Sequence, residues 1–174
     1  MTDQDRPPQA PAATSPAAGA SRPLYLVACS AAKLAHRAPA ADLYTSDLFA
    51  AARDYAEAHA QLHGSRWAVL SARHGLLDPA QRIDPYDLKL ASLTPLSRSR
   101  WALLVVLKLE ELEADRRPIV VLAGKDYADP LRYQRPGWAW EEPLRGWRIG
   151  ERRRWLRANL PPGRLPLFDG ISTR

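Results

Sequence analysis

The chain has 174 residues, a formal charge of +6, a pI of about 9.8 and a single cysteine. That length gives room for one domain with a real core, and one cysteine excludes an intramolecular disulfide and leaves any cysteine-based zinc site short of ligands. No stretch approaches the ~18 uncharged apolar residues of a membrane helix, and the opening lacks the apolar run of a secretory signal, so a soluble, cytoplasmic protein with no membrane partner is expected.

Residues 1–22 are Pro, Ala and Ser with almost nothing large and apolar, too little to offset the entropy of ordering, and read as a disordered tail. The next run, 24–28 (LYLVA), is short, apolar and bounded by turn residues, the pattern of a strand buried on both faces. Residues 46–63 follow with Ser46 or Thr45 as cap, Leu48, Phe49, Ala52, Tyr55, Ala56 and His59 at helical spacing, and Gly64 as stop. A second apolar run, 67–70 (WAVL), breaks at once into Ser71, Arg73, His74 and Gly75, with Leu76 and Leu77 expected to pin the loop to the core. Thr94 then caps a helix with Pro95 in its first turn; Trp101, Leu104, Val105, Lys108, Leu109 and Leu112 recur with a period near 3.6 through residue 115. The third run, 119–123 (IVVLA), precedes a last helix over 150–160 and an irregular segment, 161–174.

Strand, helix, strand, helix, strand predicts a single α/β domain over 23–160, with a mostly parallel central sheet, flanking helices and right-handed crossovers. In such a sheet the three strand ends share the carboxyl edge, where open α/β sheets place their ligands. Those ends carry Cys29, Ser30 and Lys33; Ser71, Arg73 and His74; Lys125 and Tyr127. Loops starting near the same edge bring Asp42 and Tyr44, then Asp84, Tyr86 and Asp87.

Carboxylates set among Lys33, Arg73 and His74 suit acid-base work or the reading of a polar heterocycle; an ion-paired network that merely fixes the loops is the alternative. Lys33 and Arg73 would hold an anionic group, with Lys125 able to do the same; Asp42 or Asp84 would give or accept a proton; Tyr44, Tyr86 or Tyr127 would orient or stack on a ring; His74 would titrate near neutral pH. Cys29 is either a small buried filler or a nucleophile paired with His74. His36, His59 and His63 read as solvated surface groups rather than ligands, so neither metal nor other cofactor is expected. Arg145, Arg148, Arg152, Arg153, Arg154 and Arg157 form a basic run that fits nucleic acid backbone and equally a solvated Arg-rich helix face. Trp138, Trp140, Trp147 and Trp155 fit packing of the last helix on the sheet, with a partner surface as the alternative.

The order Cys29-Ser30-x-x-Lys33, Asp42-Leu43-Tyr44-x-Ser46, Leu70-Ser71-Ala72-x-His74-Gly75-Leu76-Leu77 and Ile83-x-Pro85-Tyr86-Asp87 resembles the YaaA-like family, small bacterial domains often labelled peroxide-stress proteins. Ala123-Gly124-x-x-Tyr127 and Pro143-Leu144-x-Gly146-x-x-Ile149-Gly150 extend the resemblance over about residues 24–157. It implies a cytoplasmic α/β protein that binds DNA and limits free iron under oxidative stress. The Cys-Ser-x-x-Lys start is also similar to a domain of archaeosine synthases, which act on a modified deazaguanine in transfer RNA, and this implies handling of a base or nucleoside. Residues and resemblance together lead to the expectation of an enzyme-like domain acting on or binding a nucleobase, nucleoside or nucleotide, possibly within DNA or RNA. The alternative is a non-catalytic DNA-binding protein of the peroxide-stress response.

Overall fold

A computed structural model describes residues 22–112 and 114–162. Five strands form one sheet in the order β4-β3-β1-β6-β7: β1 (Leu24–Ala28), β3 (Arg66–Ser71), β4 (Gly75–Leu77), β6 (Ile119–Leu122) and β7 (Trp140–Glu141). The expected core of the sheet is present, since β1 lies parallel to β3 on one side and to β6 on the other. Register pairs Ala28 with Leu70 and Val27 with Leu122, and the Cys29 amide continues the ladder by donating to the Leu70 carbonyl at 2.9 Å. Cys29, Ser71 and Gly124 therefore leave the sheet side by side.

Helices cover both faces. The alternation of a pleated strand sends Tyr25, Val27, Val69, Val120 and Leu122 toward α2 (Asp47–His63) and α5 (Ile149–Ala158). Leu24, Leu26, Ala68, Leu70, Ile119 and Val121 face α3 (Pro95–Glu111) and α4 (Lys125–Gln134). A strand buried twice has no polar side to show, which is why these runs are continuously apolar. The expected helix ends hold as well. Ser46 accepts from the Phe49 amide, Thr94 from the Ser97 amide, and Gly64 closes α2 in the left-handed region with φ 59°. A short helix, α1 (Ala40–Leu43), and a two-stranded antiparallel ribbon of β2 (Ala38–Pro39) and β5 (Arg82–Ile83) fill the loops above the sheet.

Four local features differ from expectation. Leu76 and Leu77 do not merely pin a loop: they pair antiparallel with β3 as β4, through a turn of Ala72, Arg73 and His74 that ends on Gly75 at φ 72°. On α3 the buried side is Trp101, Ala102, Val105, Val106 and Leu109, whereas Leu104, expected inside, is 62% exposed. His59 is half-buried, stacks on Tyr55 at 4.1 Å and bonds to the Asn159 carbonyl at 2.9 Å, so it is not a free surface group. The tryptophans split: Trp155 packs with Tyr55 beneath α5, while Trp138 and Trp140 stack against each other on the opposite face. Arg22, read as the end of the tail, donates to the Gly64 carbonyl at 2.9 Å; the rest of that tail, residues 1–21, and residues 163–174 lie outside the described residues.

Candidate functional site

After β1 the chain turns to α2 on one face of the sheet, and after β6 it turns to α4 on the other. Between adjacent parallel strands whose connections part in this way a crevice opens at the carboxyl edge. Here it is a cavity of about 190 Å³. Cys29 and Ser30 enter it from β1, Ser46, Leu48 and Phe49 from the start of α2, Gly124, Asp126 and Tyr127 from the start of α4, and Arg152 from α5. Two helix N-termini thus meet one cavity wall, each bringing amide donors and positive dipole ends.

Arg152 is positioned by its own backbone neighbourhood. Its Nε donates to the Trp147 carbonyl at 2.7 Å, which fixes the guanidinium while Nη1 lies against Gly124. A Cβ at Gly124 would stand 3.1 Å from that nitrogen, so glycine lets the arginine lie a few tenths of an ångström closer to the N-terminus of α4. Nη1 and Nη2 make no hydrogen bond or ion pair among the described residues, leaving four N–H donors at the cavity.

Next to Cys29 a set of hydroxyls is wired together. The Cys29 thiol lies 3.0 Å from the Tyr127 hydroxyl. The Tyr86 hydroxyl sits 2.8 Å from Ser71 Oγ and 3.0 Å from the Tyr44 hydroxyl. Ser71, wholly buried, also accepts from the His74 amide at 3.0 Å, and its carbonyl accepts from Trp101 Nε1 at 2.9 Å, so hairpin turn, phenols and α3 share one anchor. Lys33 reaches the group because residues 32–34 run back along residues 43–45: Leu34 N donates to Leu43 O, Thr45 N donates to Ala32 O, and Lys33 bridges Tyr44. Its ammonium stands 4.5 Å from the centre of the Tyr86 ring and 5.6 Å from that of Tyr44, at cation–π distance.

Burial pushes Tyr86, Tyr127 and Tyr44 above the usual phenol range, with the Cys29 sulfur adding to the rise at each. All three keep their protons through the physiological range and act as neutral donors and acceptors. Desolvation holds His74 below the usual imidazole value, with Arg73 and Lys108 adding in the same direction. Its ring meets the edge of Tyr86 at 5.3 Å and makes no hydrogen bond among the described residues.

Of the residues singled out from sequence, Cys29, Ser30, Lys33, Tyr44, Ser71, Tyr86 and Tyr127 come together, with His74 at the margin. Arg73 points out on the hairpin turn, and Lys125 is exposed at the start of α4. The three carboxylates do not converge: Asp42 lies 3.9 Å from Arg53, and Asp84 and Asp87 are exposed. The carboxylate that does reach the cavity is Asp126. Sequence reading passed over Asp126 and Ser46 as site residues, although both follow from one rule: in a parallel α/β sheet the first turn of each helix faces the carboxyl edge.

The basic run is partly spent inside the fold. Arg145 pairs with Asp129 and Glu142, Arg153 with Asp47, and Arg152 lines the cavity. The Arg148 amide, not its side chain, is bound by Glu151. Arg148, Arg154 and Arg157 make no ion pair among the described residues. Within those same residues no helix is long and apolar enough to cross a membrane.

No curated protein and no solved structure matches this chain. Residues 24–158, from the first residue of β1 to the last of α5, match a family of unknown function (DUF6884), and the chain, with its sheet, crevice and phenol cluster all inside the match, belongs to that family.

Proposed function

We propose that the protein binds a nucleotide, or a nucleoside carrying another anionic group, across the carboxyl edge of the sheet. The observation that carries the reading is the crevice itself: the N-termini of α2 and α4, the Arg152 guanidinium and the Tyr127 hydroxyl converge beside Cys29, and the half-buried Tyr86, bonded to Tyr44 and Ser71, lies beyond the cavity lining. Phosphate is the group that helix N-termini and a forked guanidinium hold best. A heterocycle running along the edge would meet the half-buried Tyr86, a neutral phenol held from behind by the buried Tyr44 and Ser71, beneath the Lys33 ammonium. A cavity of about 190 Å³ is smaller than the ~300–1,000 Å³ of sites that enclose a whole drug-sized ligand; it takes one part of the ligand and leaves the rest along the open edge. The resemblance to YaaA-like and archaeosine-synthase domains supports the base-handling side, since its leading residues Cys29 and Ser30 line this crevice and Lys33 stands over the Tyr86 ring. Cys29 is the nucleophile best placed for any covalent step.

Thermal melts and calorimetric titration against matched nucleobases, nucleosides and nucleoside monophosphates test the reading. Monophosphates should stabilise the chain more than the corresponding nucleosides, and Arg152→Ala should remove the difference while leaving the melt without ligand close to wild type. Indifference to every member of the series, or binding of duplex DNA unchanged in Arg152→Ala and lost in Arg154→Ala/Arg157→Ala, would replace it with backbone binding by the exposed arginines.

A further inference from the structure

The outer side of α3 is apolar as well as the inner. Leu96 is 69% exposed, Leu104 62%, Leu107 43% and Leu103 40%. At 100° per residue these four leucines, with Arg100 and Glu111, fall in a stripe roughly 100° wide opposite Val105. A helix with an apolar stripe on each side is expected to be covered on both, and among the described residues the side carrying Trp101, Ala102, Val105, Val106 and Leu109 is the covered one.

We infer that a second copy of this chain covers it, with the two α3 helices packed antiparallel about a two-fold axis at the level of Val105. The charges on the stripe select that occupant. Arg100 lies on the N-terminal side of Leu103, Leu104 and Leu107, and Glu110 and Glu111 lie on the C-terminal side. Reversing one helix against the other sets Leu103 and Leu104 opposite Leu107 of the second copy, and Arg100 opposite its Glu110 and Glu111, twice over by symmetry. Parallel pairing would set Arg100 against itself. Glu110 is already held by Arg135 at 2.7 Å, whereas Arg100 and Glu111 are exposed and make no ion pair among the described residues, so they are the charges left for the partner. Antiparallel helix dipoles act in the same sense. One helix of ~25 Å covers less than the ~800 Å² per partner of a standard interface, which makes this a concentration-dependent dimer.

Sedimentation equilibrium of the full chain over a concentration series tests the inference. The wild-type mass should rise from 19.4 kDa toward twice that value. Leu107→Lys should hold the chain at monomer mass while matching the wild-type melting temperature at dilutions where wild type is monomeric, since the side chain is already exposed. Arg100→Glu and Glu111→Arg should each weaken association about tenfold, because two exposed pairs turn from attractive to repulsive, and the double reversal should restore it. A wild type that stays monomeric throughout, a dimer indifferent to Leu107→Lys, or two weakened single variants that the double reversal fails to rescue would overturn the pairing.

Discussion

Replacing Ser71 with alanine tests whether the hairpin turn and the phenol cluster are one structure. The side chain is fully buried, and its oxygen serves two partners: the Tyr86 hydroxyl at 2.8 Å and the His74 amide at 3.0 Å. Removing a buried partner costs ~1–3 kcal/mol for the groups left behind. Tyr86 retains Tyr44 and the His74 amide lies near the surface, which places the loss at about 2 kcal/mol, or ~4–8 °C in melting temperature for a chain of this size. Tyr86→Phe removes the same bond from its other end and the Tyr44 bond with it, but leaves Ser71 bonded to the His74 amide, so it should cost about 2 kcal/mol. The double variant should then cost about 3 rather than 4 kcal/mol, a coupling of about 1 kcal/mol that urea denaturation of the four proteins would resolve. Additivity within ~0.3–0.5 kcal/mol would show that the two hydroxyls do not meet, and the argument for one connected wall would fall with it.

Leu77→Ala should cost ~2–5 kcal/mol by lost transfer and the cavity left in β4, whereas His74→Ala and Asp84→Asn, both exposed, should stay within ~0.5 kcal/mol in the same denaturation assay. Gly75→Ala has room, with Val105 Cγ2 3.5 Å from the new carbon, so its cost should be the ~1–2 kcal/mol of forcing φ 72° on a side chain, read as a lowered melting temperature. Gly124→Ala should fold normally and shift monophosphate affinity only slightly, because the new methyl asks the Arg152 guanidinium to give by a few tenths of an ångström. His59 and His74 both have their imidazole values lowered by desolvation. The unfolded chain therefore takes up protons first, and stability present above the unfolded value, ~6.5, should be lost as pH falls below it. The denaturation midpoint of wild type should fall with pH across that range more steeply than that of His59→Gln/His74→Asn, and equal slopes would refute the linkage.

The central strands, the capped helices α2 and α3 and the shared carboxyl edge were legible in the residues, because doubly buried strands, Ser and Thr caps and a stopping glycine are all set by interactions within a few positions of each other. Cys29, Lys33, Tyr44, Ser71, Tyr86 and Tyr127 could be named as site residues for the same reason: each follows a readable strand or lies in a loop beginning at one. Their wiring could not be read. Cys29 meets Tyr127 across 98 positions and Tyr44 meets Tyr86 across 42, and no local pattern says which of several nearby hydroxyls will face inward. The same limit explains Asp42, Asp84 and Asp87, which stay in water because loop carboxylates remain solvated unless a buried partner repays their desolvation. On α3 the sequence holds two apolar stripes, and periodicity alone cannot choose between them. Packing on Leu24, Leu26 and Leu70 selected the side carrying Ala102 and Val106, whose small and branched side chains let the helix approach the sheet, and turned Leu104 outward.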